Sequence, residues 1–241
     1  MSQPKISVCI ATYNGEQFIL EQIISILTQL TANDEVIISD DNSTDNTLNI
    51  IRDLNDSRIR IYINTGKKGY SSNFENALRQ ATGDYIFLSD QDDIWKNNKI
   101  QMCIKYLKYY DFIVSDATVI NMKNEVLYDS FFSMRNPHKT LLGNLFKFGY
   151  LGCCFACRKN VINKSLPFPA NHKLATHDNW IFLIALMFFK IKILDEKLIF
   201  YKRHTFNIST GGFVNKTTFG FKIKYRLYLI FSLLKRSIVC I

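Results

Sequence analysis

Three carboxylates within four residues follow a short apolar run, and their type and spacing suggest chemistry. The apolar run covers residues 85–88, and the carboxylates are those of Asp90, Asp92 and Asp93. The run predicts a strand that is buried on both faces, which would place the acidic residues at its carboxyl end. Like charges this close repel, and a hard divalent cation with oxygen ligands would offset the repulsion. The alternative interpretation is a solvated Asp-rich turn.

Two other polar clusters also follow predicted strands. Ligands of open α/β sheets bind beyond the carboxyl ends of the strands, so the three clusters would meet at one edge. This convergence favours a ligand site over a solvated turn. The clusters are Thr12-Tyr13-Asn14, Asp40-Asp41-Asn42-Ser43 and Asp90-Gln91-Asp92-Asp93.

Alternating strands and helices are predicted for the first 115 residues, which is typical of an α/β protein with a mostly parallel sheet and helices on both faces. Asn14 is the predicted N-cap of the first helix, whose apolar positions 20, 23, 24 and 27 have helical spacing. The predicted strands are 6–11, 35–39, 58–63, 85–88 and 111–115, with helices over 16–30, 44–54, 72–81 and 97–109.

The second half of the chain is less regular. Residues 121–136 predict a hairpin or excursion, and residues 191–194 and 198–201 predict two strands. An apolar helix is predicted over residues 180–189, and Asp178 stands near its start, where an ordinary capping carboxylate is the alternative to a functional one.

Composition limits the class of protein. The chain has 241 residues, 47% of them hydrophobic and 21% charged, which is typical of a folded protein. The net charge of +9 suggests an anionic partner: nucleic acid, a membrane surface or a phosphorylated substrate. The six cysteines do not suggest a disulfide framework, which fits a reducing compartment. Cys154-x-x-Cys157 lacks the second pair that a zinc finger needs.

The chain ends do not suggest a targeting or spanning segment. The first residues do not resemble a signal peptide, and no uninterrupted apolar run reaches the length of about 18 residues that a spanning helix needs. From residue 219 the chain becomes basic and aromatic. This segment predicts either an interfacial helix on anionic lipid or a helix packed on the domain.

Common nucleotide-binding motifs are missing. No Gly-x-Gly-x-x-Gly follows the first predicted strand, and no Walker-type loop occurs. An EF-hand loop starting at Asp90 would place Ile94, Trp95 and Gln101 where an oxygen ligand, Gly and Glu belong. A bound diphosphate would therefore need a metal ion or basic side chains to balance its charge.

The ordered set of motifs resembles the family 2 glycosyltransferases with the GT-A fold, in particular their bacterial rhamnosyltransferase-like branch. The resemblance implies a glycosyltransferase domain over residues 1–212, with a nucleotide-binding part at about 1–115 and an acceptor-facing part at about 116–212. A basic, aromatic-rich helical segment, 213–241, follows. The matching segments are residues 7–15, 38–45, 88–95 with Lys99, 152–153, 177–180, and 201–204 with Asn207 and Ser209.

The resemblance also implies a role for each polar cluster. Ala11, Thr12 and Tyr13 would line the nucleobase pocket, with Tyr13 stacking on the base. Asp41 would accept a hydrogen bond from the base imide, and Asp40 would lie beside it near the ribose.

The acidic turn would form the metal half of the site. Asp92 would be the direct ligand of a Mn2+ or Mg2+ ion that bridges the diphosphate, and Asp90 would act beside it, more indirectly. Asp93 would face acceptor or sugar hydroxyls. His204, with help from Arg203, would approach the metal or the diphosphate.

Asp178 would be the general base in an inverting transfer of one sugar from a nucleotide-diphosphate sugar, of the dTDP-rhamnose or UDP-hexose class. The acceptor would be a saccharide or a lipid-linked saccharide in bacterial surface polysaccharide synthesis. The processive signature Gln-x-x-Arg-Trp is absent, so one sugar per cycle is expected. The protein would be cytoplasmic, or peripheral on the inner face of the membrane. The sequence does not indicate an oligomeric state.

Two other classes of function are weaker alternatives. A nucleotidyltransferase would need a Gly-rich loop with Arg or Lys after the first strand, which residues 12–15 do not provide. A basic protein that binds membrane or nucleic acid would not need converging carboxylates, and their convergence disfavours nucleic acid as the partner there.

Overall fold

A central sheet of nine strands organises the structure, a computed structural model that describes residues 4–204 and 218–238. The strand order is β3-β2-β1-β4-β8-β6-β9-β5, and β7 pairs with β6. The strands are β1 (Ile6–Thr12), β2 (Glu35–Asp40), β3 (Ile59–Ile63), β4 (Tyr85–Asp90), β5 (Ile94–Trp95), β6 (Phe112–Ile120), β7 (Val126–Tyr128), β8 (Phe155–Arg158) and β9 (Ile191–Lys202).

Helices cover this sheet, and a short 3-10 turn at Gly152–Cys154 precedes β8. The described helices are α1 (Ile19–Leu27), α2 (Thr47–Asp53), α3 (Tyr70–Gln80), α4 (Lys99–Leu107), α5 (Phe131–Arg135), α6 (Leu141–Phe146), α7 (Lys159–Ser165), α8 (His177–Phe188) and α9 (Phe219–Ile238).

The mostly parallel sheet predicted from the sequence is confirmed. β1 pairs in parallel with both β2 and β4, and β2 pairs in parallel with β3. Strand β8 runs antiparallel between β4 and β6, so β6 and its parallel neighbour β9 point in the same direction as β4. The interior strands β1 and β2 are almost wholly buried, as expected for parallel strands covered on both faces.

The first predicted helix is present as α1, but the apolar residues that predicted it do not form one buried face. Leu20 and Ile24 are 45% and 46% exposed, whereas Ile23 is buried as expected. The reason is that Gln22 occupies an inward position, where its side-chain amide hydrogen-bonds to the Ser89 hydroxyl. Because a polar residue occupies one position of the buried face, the apolar residues alone do not mark which face of the helix is buried.

Asn14 does not cap the first helix either. Its backbone has a φ of 47°, and helix α1 begins only at Ile19. The Asn14 side chain instead accepts a hydrogen bond of 2.8 Å from the backbone N–H of Thr44. It therefore joins two loops at the carboxyl edge of the sheet.

The second half of the chain departs from the predicted strand pattern. Strand β9 runs unbroken where two strands were predicted, because irregular register opposite Ser115–Ala117 lets it stay paired with β6. Strand β8 lies in a stretch whose glycines and apolar residues did not predict a strand. The predicted excursion at residues 121–136 contains the short strand β7 and the helix α5.

Helix α9 packs on the domain through one face. Leu229 and Leu233 are buried, and the Arg236 guanidinium donates a hydrogen bond of 2.9 Å to the Lys164 carbonyl and lies 5.6 Å from the Trp180 ring. The opposite face is apolar and exposed. Among the described residues, no helix is both long and apolar enough to cross a membrane.

Candidate active site

The register of the sheet brings the predicted polar clusters together. Strand β1 lies between β2 and β4, with Thr12 opposite Asp40 and Ala11 opposite Asp90. The carboxyl ends of three parallel strands therefore open onto one edge, as the alternation of strands and helices predicted.

The acidic turn after β4 is held by residues that end β9. The backbone N–H of Lys202 donates to Oδ1 of Asp93 at 3.1 Å, and Nε2 of His204 lies 2.8 Å from Oδ2 of Asp92. The His204 ring stacks on Phe18, with 4.4 Å between ring centroids. His204 thus meets Asp92 across 112 positions of sequence.

Charge repulsion and burial disturb this acidic cluster. Burial, together with the charges of Asp92 and Asp178, raises the pKa of Asp90 to about 7. Burial and the neighbouring Asp92 and Asp90 also raise the pKa of Asp93 well above its usual range. Asp93 is 1% exposed, and its Oδ2 lacks a hydrogen-bond partner within residues 4–204 and 218–238.

These observations fit a divalent cation. Carboxylate oxygens of Asp90 and Asp93 and the Cys153 sulfur all lie within 4.8 Å of one another, and Asp92 is adjacent in the chain. A cation would stabilise the ionised carboxylates and give the unpartnered oxygen a ligand. The oxygen donors are those that Mg2+ and Mn2+ prefer.

A buried ammonium group stands behind the cluster. Lys99 is completely buried, and its Nζ donates a hydrogen bond of 2.7 Å to the Cys153 carbonyl and lies 4.7 Å from the centroid of the Trp95 ring. The Lys99 charge lowers the pKa of Asp90, against the larger opposing effects of burial and nearby carboxylates. Lys99 therefore holds the Gly152–Cys154 turn beside the carboxylates and partly balances their charge.

Asp178 reaches the same cluster from another direction. It lies in the first turn of α8, and a Cβ atom placed on Gly152 would be 3.1 Å from the Asp178 Cβ. Its charge contributes to the raised pKa of Asp90. The pKa values of Tyr70 and Tyr225 rise to about 12, through burial first and the Asp178 charge second. Asp178 therefore lies against the Gly152–Cys154 turn, close enough to Asp90 for its charge to act on that carboxyl.

The nucleobase end of the edge is more exposed. Tyr13 is 45% exposed, and Thr12 beneath it is buried. Asp41 is nearly buried, with Oδ1 accepting a hydrogen bond from the Asn64 side chain at 2.9 Å and Oδ2 accepting one from the Gly69 N–H at 2.7 Å. These bonds fix the orientation of the Asp41 carboxylate beside Tyr13's strand.

Asp40 lies beneath the loop that follows β2 and is not exposed at the surface. The residue is completely buried, and its oxygens accept hydrogen bonds from the Ser43 N–H at 2.7 Å, the Ser43 hydroxyl at 2.6 Å and the Thr12 hydroxyl at 2.9 Å. Asp40 therefore links the end of β1 to the loop after β2 through these hydrogen bonds. A ribose could reach Asp40 only if these two segments moved apart.

Arg203 stands at the end of β9 next to His204. Its backbone N–H donates to the Ile120 carbonyl at 2.8 Å, and its guanidinium donates to the Tyr201 hydroxyl at 3.2 Å. Asn207 and Ser209, which belong to the same predicted motif, lie outside the described residues.

Several residues of the site were given no role from the sequence. Gln91 bonds to the Tyr13 backbone, Lys99 supports the Gly152–Cys154 turn, and the buried His177 ring stacks on Phe74 at 4.1 Å. Lys99 carried a faint signal, since a lysine within an apolar helical stripe is unusual. Gln91 carried none, because a glutamine among aspartates looks like ordinary solvated surface.

The geometry joins the polar carboxyl ends of β1 and β2 to an acidic cluster at the end of β4, and sequence comparison identifies the family. The sequence model of glycosyl transferase family 2 matches residues 7–166. The chain therefore belongs to glycosyl transferase family 2, as the motifs predicted.

Two relatives with assigned activities are bacterial glycosyltransferases. The chain is 32% identical over 170 residues to the Escherichia coli UDP-Glc:alpha-D-GlcNAc-diphosphoundecaprenol beta-1,3-glucosyltransferase WfgD, an alignment covering 70% of this chain and 65% of that one. It is 32% identical over 187 residues to the Shigella flexneri dTDP-rhamnosyl transferase RfbG, covering 70% of this chain and 60% of that one. The chain thus spans less than two thirds of either relative.

Solved structures confirm the GT-A fold. Staphylococcus aureus TarS 1–349 in complex with UDP-GlcNAc aligns with a TM-score of 0.71 at 20% identity, over 94% of this chain and 66% of that one. The mannosyltransferase PcManGT from Pyrobaculum calidifontis, in complex with GDP-Man and Mn2+, aligns with a TM-score of 0.64 at 16% identity, over 100% of this chain and 77% of that one.

Proposed function

We propose that the protein is an inverting, metal-dependent glycosyltransferase that moves one sugar from a nucleotide-diphosphate sugar to a saccharide or lipid-linked acceptor. The observation that carries this proposal is the position of Asp178. It stands across the Gly152–Cys154 turn from a cluster suited to a cation, and it influences the pKa of Asp90. A carboxylate base close to a cation site suits a direct displacement at an anomeric carbon.

The nucleotide would lie along the carboxyl edge of β1 and β2. Tyr13, half exposed, would stack on the base, with Ala11 and Thr12 forming the floor of the pocket. Asp41, whose orientation is fixed by two hydrogen bonds, would accept a hydrogen bond from the base imide. Asp40 would support this pocket from behind.

The acidic cluster would hold Mn2+ or Mg2+. Asp92 would be a direct ligand, Asp90 would act beside it, and His204 and Arg203 would face the ion or the diphosphate. A bound divalent cation stabilises the charge that develops on a leaving diphosphate. Asp93, fixed through Lys202, would orient sugar or acceptor hydroxyls once the cluster has its counter-charge.

Asp178 would take the proton from the attacking acceptor hydroxyl. A positioned carboxylate in this role is worth about 10²–10⁴-fold in rate. Its placement on the rigid first turn of α8, packed against Gly152, would keep it oriented towards the sugar. A single displacement from the side opposite the diphosphate would invert the anomeric centre.

The acceptor side of the molecule suits a lipid-linked substrate. An open groove of about 500 Å³ runs along the outer face of α9, lined by Leu174, Ile223, Leu227 and Phe231 together with Lys224. An apolar helix face flanked by lysines favours contact with an anionic membrane surface. The named relative from E. coli acts on a diphosphoundecaprenol-linked sugar. We propose that the protein works in surface polysaccharide synthesis, peripherally on the inner face of the cytoplasmic membrane.

The central experiment measures nucleoside diphosphate release from a panel of UDP-, dTDP- and GDP-sugars with Mn2+ and candidate acceptors. We expect release with at least one donor, and EDTA should abolish it. Asp92→Asn should remove most of the release, whereas Asp53→Asn, an exposed aspartate on α2, should leave it intact. Full activity in Asp92→Asn would refute the metal assignment, and release of pyrophosphate instead would indicate a nucleotidyltransferase.

The membrane contact has its own experiment. Leu227→Ser and Phe231→Ser alter the exposed face of α9 and leave its buried Leu229 and Leu233 in place. Both variants should bind phosphatidylglycerol vesicles several-fold more weakly than the unaltered chain, since each loses buried apolar area at the interface. Leu20→Ser, which alters an exposed leucine of α1, is the control. Equal vesicle binding by all four proteins would refute this contact.

A further inference from the structure

The side chain of Gln91 makes a two-point contact with the backbone of Tyr13. Its Oε1 accepts a hydrogen bond from the Tyr13 N–H at 2.9 Å, and its Nε2 donates one to the Tyr13 carbonyl at 3.1 Å. Both polar ends of one amide are therefore used on a single residue. Such a pair of bonds fixes direction as well as distance, because neither end can rotate away alone.

The chain makes room for this amide at Gly15. A Cβ atom on Gly15 would lie 2.5 Å from Oε1 and 2.7 Å from Cδ of Gln91, distances that no real side chain tolerates. Any residue other than glycine would push the Gln91 amide off the Tyr13 backbone. The contact thus depends on two positions that are 76 residues apart.

Gln91 connects two parts of the site that belong to different loops. It stands between Asp90 and Asp92 in the acidic turn. The loop that carries Tyr13 is joined on its other side to the loop after β2, where the Asn14 N–H donates to the Ser43 hydroxyl at 2.9 Å and the Gly15 N–H donates to the Thr47 hydroxyl at 2.8 Å. Gln91 therefore ties the nucleobase loop to the metal loop.

We propose that Gln91 is a positioning residue that fixes the spacing between the nucleobase subsite at Tyr13 and the metal subsite at Asp92. The proposal rests on the proposed function, because a nucleoside diphosphate must occupy both subsites at once. A ligand that spans two subsites gains affinity from the fixed geometry between them, beyond what each subsite contributes alone. Loosening the spacing should weaken the spanning ligand and spare ligands that fill one subsite.

The test compares UDP with inorganic pyrophosphate, both in the presence of Mn2+, by isothermal titration calorimetry on the full chain. Gln91→Leu keeps the size of the side chain and removes both hydrogen bonds. We expect UDP binding to weaken about 10-fold and pyrophosphate binding to stay unchanged, because pyrophosphate does not reach Tyr13. Gln101→Leu, an exposed glutamine on α4, should change neither affinity. Equal weakening of UDP and pyrophosphate would mean damage to the metal loop, and would refute the proposal.

Gly15→Ala provides a second route that leaves Gln91 itself in the chain. It should weaken UDP about as much as Gln91→Leu does, and the double variant should be no weaker than either single one, because both changes break the same contact. Gly220→Ala, whose added Cβ meets open space, is the control. Additive losses in the double variant would overturn the proposal.

The experiment separates this proposal from the broader one. If the unaltered chain binds none of UDP, dTDP and GDP with Mn2+, the proposed function fails and this role for Gln91 fails with it. If the unaltered chain binds a nucleoside diphosphate and Gln91→Leu binds it equally well, the positioning role alone is refuted.

Discussion

Two pairs of aspartates lie at the same edge of the sheet, and their carboxylates have very different surroundings. Asp40 and Asp41 accept hydrogen bonds from nearby backbone and side-chain donors on both oxygens. Asp90 and Asp93 are crowded by each other and by Asp92, and their pKa values are raised. The first pair is satisfied by donors of the fold, whereas in the second pair Oδ2 of Asp93 lacks a donor among the described residues.

The difference separates carboxylates that the fold itself satisfies from those that we propose bind an ion. Burial of a charge is tolerated when donors surround it, and otherwise it needs a counter-ion or a proton. The loops after β1 and β2 therefore hold a fixed shape, which the proposed nucleotide pocket requires. The turn after β4 carries unbalanced negative charge, which a bound cation would offset.

The largest expected effect is a pair of opposite kinetic changes, one in turnover and one in the KM for donor. Asp178→Asn should lower turnover about 10²–10⁴-fold with UDP affinity unchanged, because it removes a base and no donor contact. Asp41→Asn should raise the KM for donor and leave the turnover at saturation nearly unchanged. Steady-state kinetics together with UDP titration measure both. If Asp41→Asn lowers turnover as much as Asp178→Asn does, the division between the two halves of the edge is wrong.

A smaller effect is expected from the turn that separates the base from the metal carboxylates. A Cβ on Gly152 would lie 3.0 Å from Nε2 of His177 and 3.1 Å from the Asp178 Cβ, so the start of α8 must shift by a few tenths of an ångström. We expect Gly152→Ala to lower turnover about 10-fold, since catalysis is sensitive to small misplacements, and to leave UDP affinity intact. Gly220→Ala serves as the control, and weaker UDP binding in Gly152→Ala would place the turn on the nucleotide side instead.

The fold and much of the site follow from local sequence patterns. The apolar strands that end in polar clusters predicted that Thr12, Asp40 and Asp90 would share an edge, because parallel strands place their carboxyl ends together. The contact between Asp92 and His204 needed the family resemblance, since no spacing rule links residues so far apart. The different surroundings of Asp40 and Asp90 could not be predicted from the sequence, because they depend on which hydrogen-bond donors the tertiary fold brings to each carboxylate.

The errors in the prediction share one physical cause. In each case a tertiary contact, and not the local sequence pattern, determines which residues are buried or where a strand ends. Gln22 is buried and hydrogen-bonds to Ser89, so the buried face of α1 includes a polar residue that the apolar pattern does not mark. Strand β9 continues past its polar residues because β6 pairs with it on both sides of the register shift at Ser115–Ala117. Neither partner is near in sequence, so neither effect could be inferred from a window of residues.

Stability measurements in EDTA should distinguish the two pairs directly. Asp40→Asn should lower the free energy of unfolding by about 2 kcal/mol. The reason is that the NH2 group of asparagine replaces one carboxylate oxygen and cannot accept the hydrogen bonds that this oxygen received. Asp93→Asn should cause no loss, or a slight gain, because it removes a buried charge that lacks a full set of donors and keeps an oxygen for the Lys202 N–H. Urea unfolding measures both, and a loss in Asp93→Asn as large as that in Asp40→Asn would contradict the comparison.

A further expected effect is a pH dependence that belongs to the crowded pair alone. The pKa of Asp90 in the folded chain is about 7, above its usual value near 3.8, so folding favours the protonated carboxyl. Its contribution to stability is therefore complete below about pH 4 and is lost as the pH rises through 7. In EDTA, the melting temperature of the unaltered chain minus that of Asp90→Asn should fall between pH 4 and pH 8.

Added Mn2+ should reverse that trend, because a cation favours the ionised carboxylate and binds more tightly as the proton leaves. The same subtraction with Asp41→Asn should give a difference that changes little over this pH range and does not respond to Mn2+. Parallel melting curves for the unaltered chain and Asp90→Asn at every pH would show that Asp90 is as well satisfied as Asp41. The reason for placing the cation at the turn after β4 would then be lost, even if the nucleotide edge were correct.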